Sequence, residues 1–239
     1  MKIIDAKWDT ISLKKKTYEI IIENSDTIDI INEALLNIEA EYEVVKVPSG
    51  LPAIDIELQK MGFVFIEEQI TVEHDLHEVK RPSVLQRMYD SMEYSLMSDE
   101  EFKILIDEVK GGLFSTDRIS IDPNFGIEYS INRYVNWINQ LHNSNANIYA
   151  LKYKNDLEGF VIIKNSIKED EYDSVLGAAF KKYRNSGLGL VQKEQDIVKS
   201  MGGKKLYTSV SSNNVSQLRA LIVNGYIPIK ITKVFVKHI

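Results

Sequence analysis

An arginine and two glycines, Arg184, Gly187 and Gly189, give this sequence its clearest chemical signal. A short apolar run at residues 175–180 precedes them and predicts a buried strand, and apolar residues at helical spacing follow. The junction between a strand and a helix leaves backbone N–H groups without an internal partner, and the helix dipole favours an anion there. Glycine lets a phosphate approach these amides closely, and the guanidinium adds positive charge. Residues 184–189, hereafter the glycine loop, are therefore interpreted as a pyrophosphate cradle.

Spacing distinguishes the glycine loop from two other phosphate-binding loops. A P-loop requires Lys and then Ser or Thr after its last glycine, and no such pair follows Gly189. A dinucleotide-binding fingerprint requires a third Gly or Ala three places after Gly189, where this chain has Gln192. A tight turn that binds nothing is the simplest alternative, and it stays open at this point.

The C-terminal half alternates between strands and helices on both sides of the glycine loop. An Asn-Asp pair at residues 155–156 predicts a hairpin turn. Asn213 or Asn214 can cap a helix that ends at Gly225. Apart from the run before the loop, strands are predicted at residues 148–153, 157–163, 205–210 and 226–236.

The glycine loop, placed between a strand and a helix, resembles the acetyl-CoA loop of the GNAT acetyltransferases. Asn213, then Ser216, then the pair Gly225-Tyr226 resemble the second signature of that family, Asn-x-x-Ala followed by Gly-Phe. The order of predicted elements from about residue 128 onward matches the family as well. The resemblance implies an α/β (α+β) protein with the GNAT fold, a mixed central sheet flanked by helices.

The amino-acid composition limits the classes of function that this chain can have. The chain has 239 residues, 44% of them hydrophobic, and a formal charge of −6, which argues against a nucleic-acid partner. It has no cysteine, and its four His form no close pair, so no metal site is predicted. Because no apolar run approaches the roughly 20 residues that span a bilayer, we expect a soluble, cytoplasmic protein without membrane insertion.

The N-terminal half resembles a partial copy of the C-terminal half. Residues 56–63 align with residues 219–226, and each segment lies between two predicted strands, at an offset of about 163 residues. Any two such units share a helix-ending glycine, so chance similarity is the alternative. Because the N-terminal copy has no glycine loop, it is expected to bind no cofactor. The predicted segments are an incomplete N-terminal GNAT-like unit at 1–80, a linker and helix at 81–116, and an acetyl-CoA-binding domain at 117–239.

Three N-terminal features resemble the TDP-fucosamine acetyltransferase group within this family: Trp8-Asp9-Thr10, Gly62-Phe63, and the segment from Asp117-Arg118 to Asp122-Pro123. The resemblance implies acetylation of the amine of a nucleotide-linked aminodeoxysugar for surface polysaccharide. The match is partial, because Thr10 is not followed by the Phe-Phe-Gly that often accompanies the motif. Arg118 could meet an acceptor phosphate, or pair with Asp117 or Asp122.

The resemblance also assigns roles to residues of this chain. Arg184 and the loop amides would hold the pyrophosphate of acetyl-CoA, a strand N–H near Ala178 and Ala179 would polarise the thioester carbonyl, and Asn213 would bond to the pantetheine or cap the helix. The small side chains of the two alanines are equally consistent with packing. The cofactor-binding residues so predicted are Ala178, Ala179, Arg184, Asn185, Ser186, Gly187, Leu188, Gly189, Asn213 and Ser216.

Catalytic groups are harder to assign. Glu68 interrupts an apolar face in the predicted strand 63–72, so it is the candidate general base, with a pKa raised by apolar neighbours. The alternatives are that Glu68 pairs with a lysine, sits at an edge, or is turned outward by a bulge. The tyrosine that protonates the leaving thiolate in many relatives corresponds to Ala220, which cannot donate a proton.

Three functions therefore remain open from the sequence. The first is an acyltransferase, namely a nucleotide-amino-sugar N-acetyltransferase. The second is a GNAT enzyme that acts on another small-molecule amine, a peptide N-terminus, a polyamine or an antibiotic. The third is a non-catalytic protein that binds acetyl-CoA, for which Ala220 is the sequence indication. The sequence leaves the oligomeric state open, a homodimer included.

Overall fold

The computed structural model describes residues 1–78, 86, 89–144, 146–184 and 189–239. The strands in these ranges are β1 Lys2–Asp5, β2 Thr17–Ile21, β3 Tyr42–Pro48, β4 Val64–Asp75, β5 Met92–Leu96, β6 Asn147–Tyr153, β7 Asp156–Asn165, β8 Glu171–Ala179, β9 Lys205–Ser211 and β10 Ile227–His238. The principal helices are α1 Lys7–Leu13, α2 Ile28–Leu36, α3 Pro52–Lys60, α4 Asp99–Lys110, α5 Arg118–Ile121, α6 Ile127–Asn143, α7 Leu190–Ser200 and α8 Val215–Val223.

Local sequence signals set several of these boundaries. The Ser98 side chain accepts from the Glu101 N–H, and the Glu101 side chain accepts from the Ser98 N–H, so a capping box starts α4. Asn214 caps α8, since its side chain accepts from the Gln217 N–H at 3.2 Å. Of the two asparagines that the sequence offers as a cap, Asn213 is therefore the one that stays available.

All ten strands form one mixed sheet, in the order β1-β2-β3-β10-β4-β9-β8-β7-β6-β5. The pairs β2-β3 and β8-β9 are parallel, and the other neighbouring pairs are antiparallel. Counted inward from β1, the strands are β1, β2, β3 and β10; counted inward from β7, they are β7, β8, β9 and β4. The two series correspond strand by strand, so the two halves of the sheet repeat one another. Each half thus receives a strand from the other, and the sheet is related to itself by a pseudo-two-fold axis between β4 and β10.

Matching hydrogen bonds support the internal repeat that the sequence predicts. The Ser49 N–H donates to the Ile231 carbonyl at 2.9 Å, and the Ser212 N–H donates to the Glu68 carbonyl at 2.8 Å. Both donors and both acceptors are related by the shift of about 163 residues that the sequence alignment gives. The three predicted segments, 1–80, 81–116 and 117–239, share this one sheet, and their boundaries stay a prediction.

Helices cover both faces of the sheet. We call the face with α2, α3, α7 and α8 the front face, and the face with α1, α4, α5 and α6 the back face. Buried side chains on the front face include Val45, Leu58, Val72, Val198 and Leu221, and those on the back face include Leu13, Val44, Ile138, Phe160 and Val234. Apolar burial on the two faces supplies the main stabilisation of the fold.

A buried ion pair fixes α1 against the helices of the back face. Asp9, which is 0% exposed, accepts hydrogen bonds from Arg118 of α5 and from the Nε atom of Arg133 in α6, the latter at 2.6 Å. Burial alone would raise the pKa of Asp9, but the two guanidinium groups hold it below its usual value. The expected partners of Arg118 were Asp117, Asp122 or an acceptor phosphate; its partner is Asp9, because α1 packs across α6 and brings this carboxylate to the guanidinium.

Replacement of Asp9 by Asn is expected to destabilise the fold strongly. The change leaves Arg118 buried without its counter-charge, and loss of one partner of a buried ion pair costs about 3–5 kcal/mol. Urea unfolding at neutral pH gives the free energy of unfolding of both proteins.

A matched control for Asp9→Asn is Asp170→Asn, which removes an exposed ion pair with Lys204. Solvent screens such a pair, so we expect the unfolding midpoint of this variant to stay at the wild-type value. Equal destabilisation by both substitutions would show that burial of the Asp9 pair does not matter.

Candidate active site

The parallel strands β8 and β9 form a fork in the C-terminal half. They pair only at Glu171–Asp173 with Lys205–Tyr207, although β8 continues to Ala179 and β9 to Ser211. A side-chain bond closes the narrow end, from the Thr208 hydroxyl to the Ser174 carbonyl at 3.0 Å. Beyond that point β8 and β9 are no longer paired, and we call the space between their facing edges the cleft.

A β-bulge in β8 lies where the fork opens. Ser174 is opposite Ile163, whereas Leu176 is opposite Ile162, so Val175 is an extra residue in β8. The extra residue of a bulge is left out of the ladder and redirects the strand. This bulge explains why β8 leaves β9, and the sequence analysis did not detect it.

The corresponding strands in the N-terminal half form no fork. β2 and β3 pair without a register shift over the whole of β2, and the Ile22 N–H continues the ladder to the Lys46 carbonyl at 2.9 Å. Before α2, the Asp26 carboxylate accepts from the Glu23 N–H at 2.7 Å and from the Met1 amino group at 2.9 Å. A carboxylate of the chain itself thus takes the place where an anion would bind. That this half binds no cofactor stays a prediction.

The glycine loop connects the wide end of the fork to α7. Asn185, Ser186, Gly187 and Leu188 lie outside the described residues, so their predicted roles are not assessed.

Arg184 and Gly189, at the two ends of this loop, are described. Arg184 is exposed, and its Nη2 atom donates to the Leu113 carbonyl at 2.8 Å. A Cβ atom on Gly189, the N-cap of α7, would lie 2.4 Å from the Tyr89 ring. Glycine is therefore required at position 189 by packing as well as by the predicted phosphate.

The predicted alanines line the β8 side of the cleft. Ala178 and Ala179 are half-buried at the end of β8, and each packs against a different apolar cluster. Gly159, on the neighbouring strand, has no room for a side chain, since a Cβ there would lie 2.3 Å from the Ala178 carbonyl oxygen. Close approach of β7 and β8 is thus one reason for small residues here.

On the β9 side, Asn213 and Ser216 are exposed near the start of α8. Asn213 donates to the Ser211 hydroxyl at 3.3 Å from its side-chain amide. Because Asn214 is the cap, the Asn213 side chain is not needed by the helix. Ala220 is half-buried and packs against the front-face core, as a residue without a chemical role would.

The predicted base Glu68 lies beside a more deeply buried carboxylate. A bulge at Ile66, between the pairs Phe65–Phe235 and Glu67–Val234, breaks the simple alternation assumed from the sequence. Glu68 is half-buried on the front face. Glu67 faces the back of the sheet, is 3% exposed, and its Oε2 atom has no hydrogen-bond partner among the described residues.

The environment of Glu67 has the properties expected of a general base. Burial raises the pKa of Glu67, although the Ser211 hydroxyl and the Arg118 charge oppose the shift. Glu67 lies beside Ser211, the last residue of β9, and therefore near the wide end of the fork. Glu68 stays a prediction, but Glu67 meets the stated physical requirement more closely.

A second buried carboxylate, Glu194, lies in α7 beneath the fork. It is 3% exposed, and burial raises its pKa to about 7, while a hydrogen bond with the Ser174 side chain opposes the shift. The sequence analysis missed this residue. A signal was present, because Glu194 falls on the same helical stripe as Val191 and Val198, which pack in the core.

Two classes of site are without support in the part of the chain that the structure describes. No cluster of His, Asp and Glu there could hold a metal ion. No helix in the same ranges has the length and apolar character needed to cross a membrane.

The architecture matches solved structures, although no protein-family profile and no curated protein matches the sequence. A GCN5-related N-acetyltransferase from Sphaerobacter thermophilus is similar with a TM-score of 0.65 and 8% identity, over 99% of this chain and 75% of that one. A GCN5-related glucosamine N-acetyltransferase region of a fungal multi-domain β-N-acetylglucosaminidase is similar with a TM-score of 0.69 and 12% identity, over 99% of this chain and 31% of that one. The chain has the GNAT fold. A tandem GNAT protein from the clavulanic acid biosynthesis pathway is similar with a TM-score of 0.54 and 11% identity, over 93% of this chain and 75% of that one.

These similarities confirm the predicted fold class, a mixed sheet flanked by helices. They do not show that the chain belongs to the TDP-fucosamine acetyltransferase group, so that assignment stays a prediction. At such low identities the likeness concerns the fold alone, so the activity has to be argued from the fork and its carboxylates.

Glu194→Gln is expected to flatten the dependence of stability on pH. The pKa of Glu194 is about 7 in the folded protein, above the value of about 4.3 for an unfolded chain. The stabilising effect of the protonated carboxyl is therefore complete below about pH 4 and is lost as the pH rises through about 7. Between about pH 5 and pH 8, wild type should lose roughly 2–3 kcal/mol more than the variant in urea unfolding.

The control for this experiment is Glu100→Gln, on the exposed face of α4, which should keep the wild-type slope. Glu158, which is buried and whose pKa burial likewise raises to about 7, contributes to all three proteins and does not disturb the comparison. An unchanged slope in Glu194→Gln would show that this carboxyl ionises without cost in the fold.

Proposed function

We propose that the protein is an acetyl-CoA-dependent N-acetyltransferase. The fork between β8 and β9 carries the proposal: the C-terminal half has it, with a bulge at its opening and a helix N-terminus at its wide end, and the N-terminal half does not. Similar folds belong to proteins named as N-acetyltransferases, which supports the same class of reaction.

The two sides of the fork would hold the cosubstrate. The amides of the glycine loop, at the start of α7, would bind the pyrophosphate, with Arg184 adding positive charge. The unpaired edge of β8, including Ala178 and Ala179, would bond to the amides of the pantetheine arm, and Asn213 and Ser216 would border it from the α8 side. The backbone N–H at the Val175 bulge, rather than at the alanines, would polarise the thioester carbonyl.

The chemical step requires a neutral amine. Glu67 would accept the proton of the ammonium group, directly or through a water molecule, and the amine nitrogen would then attack the thioester carbon. The new N–C bond replaces the C–S bond, the nitrogen releases its second proton to solvent, and the sulfur leaves as a thiolate. Because Ala220 cannot donate a proton, the thiolate would take one from solvent, which its pKa near the cysteine value of about 8.5 permits.

The acceptor that the sequence resemblance suggests is the amine of a nucleotide-linked aminodeoxysugar for surface polysaccharide. A similar fold in a protein named as a glucosamine N-acetyltransferase supports an amino sugar. A peptide N-terminus, a polyamine or an antibiotic is the alternative acceptor, and acetyl-CoA binding without turnover is the alternative function. A cytoplasmic location and a homodimer also stay proposals.

Calorimetric titration with acetyl-CoA tests the cosubstrate first. We expect one-to-one binding in the micromolar range, abolished by Gly187→Trp, because the indole would occupy the predicted pyrophosphate site. Asn24→Trp places the same side chain at an exposed position after β2, in the half without a fork, and should leave binding unchanged. Absence of binding at millimolar acetyl-CoA would refute the proposed function.

A pair of neighbouring variants identifies the base. Glu67→Gln should lower the turnover number about 10²-fold and remove the acidic limb of the pH–rate profile, as expected for loss of a general base. Glu68→Gln should leave both unchanged. The opposite order of effects would assign the role to Glu68, and two unaffected variants would exclude both residues.

A further inference from the structure

The back face of the sheet carries an uninterrupted polar row beside the fork. Seven side chains form this row, hereafter the polar floor: Glu67, Gln69, Thr71 and Glu73 of β4, and Tyr207, Ser209 and Ser211 of β9. Register places them on one face, because Gln69, Thr71 and Glu73 lie opposite Ser211, Ser209 and Tyr207. Glu67 lies opposite Val234, a member of the back-face core, which identifies that face.

The polar floor is open to solvent between two apolar clusters. Ser209 is exposed, and Gln69, Thr71, Glu73, Tyr207 and Ser211 are each partly exposed. The clusters to either side, around Leu13 and Ile119 and around Phe160 and Ile138, include none of the seven side chains. The Thr71 and Ser209 hydroxyls, 3.0 Å apart, cross the middle of the floor at the surface. A small molecule can therefore reach these side chains.

Negative charge predominates on this floor. Glu67 is buried with a free Oε2 atom, and Glu73 lies 3.3 Å from the ammonium group of Lys205. Asp173 of β8, which pairs with Tyr207, adds a further carboxylate at the narrow end of the fork. The cation on the β10 side is Lys230, which is exposed and lies opposite Thr71.

The arginines closest to this floor are engaged elsewhere. Arg118 and Arg133 both bond to Asp9, and Arg118 is 3% exposed. Recognition of a phosphate by arginine requires a guanidinium that the ligand can reach. Arg118 is too deeply buried for this, and Arg133 is turned toward Asp9. The seven side chains of the floor thus offer carboxylate, hydroxyl and amide groups to a ligand, and the cations beside them are Lys205, which pairs with Glu73, and Lys230.

We infer that the acceptor is a cationic, hydroxyl-bearing amine without a phosphate group, such as a free amino sugar, bound on the polar floor. The inference rests on the proposed acetyl transfer and narrows its substrate class. The carboxylates attract an ammonium group, and the hydroxyl and amide side chains hydrogen-bond to a polyol. The same carboxylates repel a nucleoside diphosphate, so the nucleotide-linked sugar is the poorer acceptor.

The test compares two acceptors that share one sugar, the free 4-amino-4,6-dideoxysugar and its TDP-linked form. Calorimetric binding to the full chain without acetyl-CoA should be at least about tenfold tighter for the free amine, a difference of about 1.4 kcal/mol. With acetyl-CoA present, mass spectrometry of the products should show the same preference in kcat/KM. Tighter binding or faster acetylation of the TDP-linked sugar, or no binding of the free amine, would overturn the inference.

Floor variants separate recognition from folding. Glu73→Gln should raise KM for the free amine several-fold and leave the Kd for acetyl-CoA unchanged, whereas the exposed control Glu100→Gln should alter neither. A wild-type KM in the Glu73→Gln variant would show that this carboxylate does not bind the acceptor. The acceptor titration is made without acetyl-CoA, so it tests the inference independently of the proposed function. Failure of the protein to bind acetyl-CoA would refute the proposed function.

Discussion

The antiparallel pairing of β4 with β10 is the constraint on which the rest of this structure depends. Each strand continues the strand–helix–strand unit of its own half but lies inside the sheet of the other half. Separation of the halves would expose the backbone groups and apolar faces of both strands, and unpaired strand edges are costly and prone to association. The pairing therefore makes one sheet from two incomplete units.

One repeat has produced two different strand junctions, and small local features account for the difference. The Val175 bulge parts β8 from β9, whereas β2 and β3 pair without a register shift. The loop after β2 satisfies its own amides with Asp26, whereas the longer connection from β8 to α7, which contains the glycine loop, ends with a glycine as the N-cap of α7. A one-residue insertion in β8 thus accompanies the change from a closed junction to a cleft.

The proposed chemistry and the stability of the fold make opposite demands on the buried acids. Asp9 is ionised and paired, so its burial holds the helices of the back face together. Glu67 and Glu194 are buried without a counter-charge in direct contact, and burial raises the pKa of each. Such groups reduce stability at neutral pH, a cost that proteins commonly accept where a proton has to be exchanged.

The sequence by itself determined most of the elements, the internal repeat and the position of the glycine loop, because caps, apolar periodicity and helix-ending glycines act over a few residues. It did not indicate β1, α1, β5 or α5. Only the tertiary structure decided the rest. The bulges at Ile66 and Val175 depend on partner strands remote in sequence, and the first turns Ile66 to the back of the sheet, away from the face that carries Glu68 and Ile70. Likewise Asp9 meets Arg118 across 109 residues, and Gly189 meets Tyr89, through contacts that no local pattern records. Chain folding brings such residues together, so their roles follow from register and packing rather than from spacing.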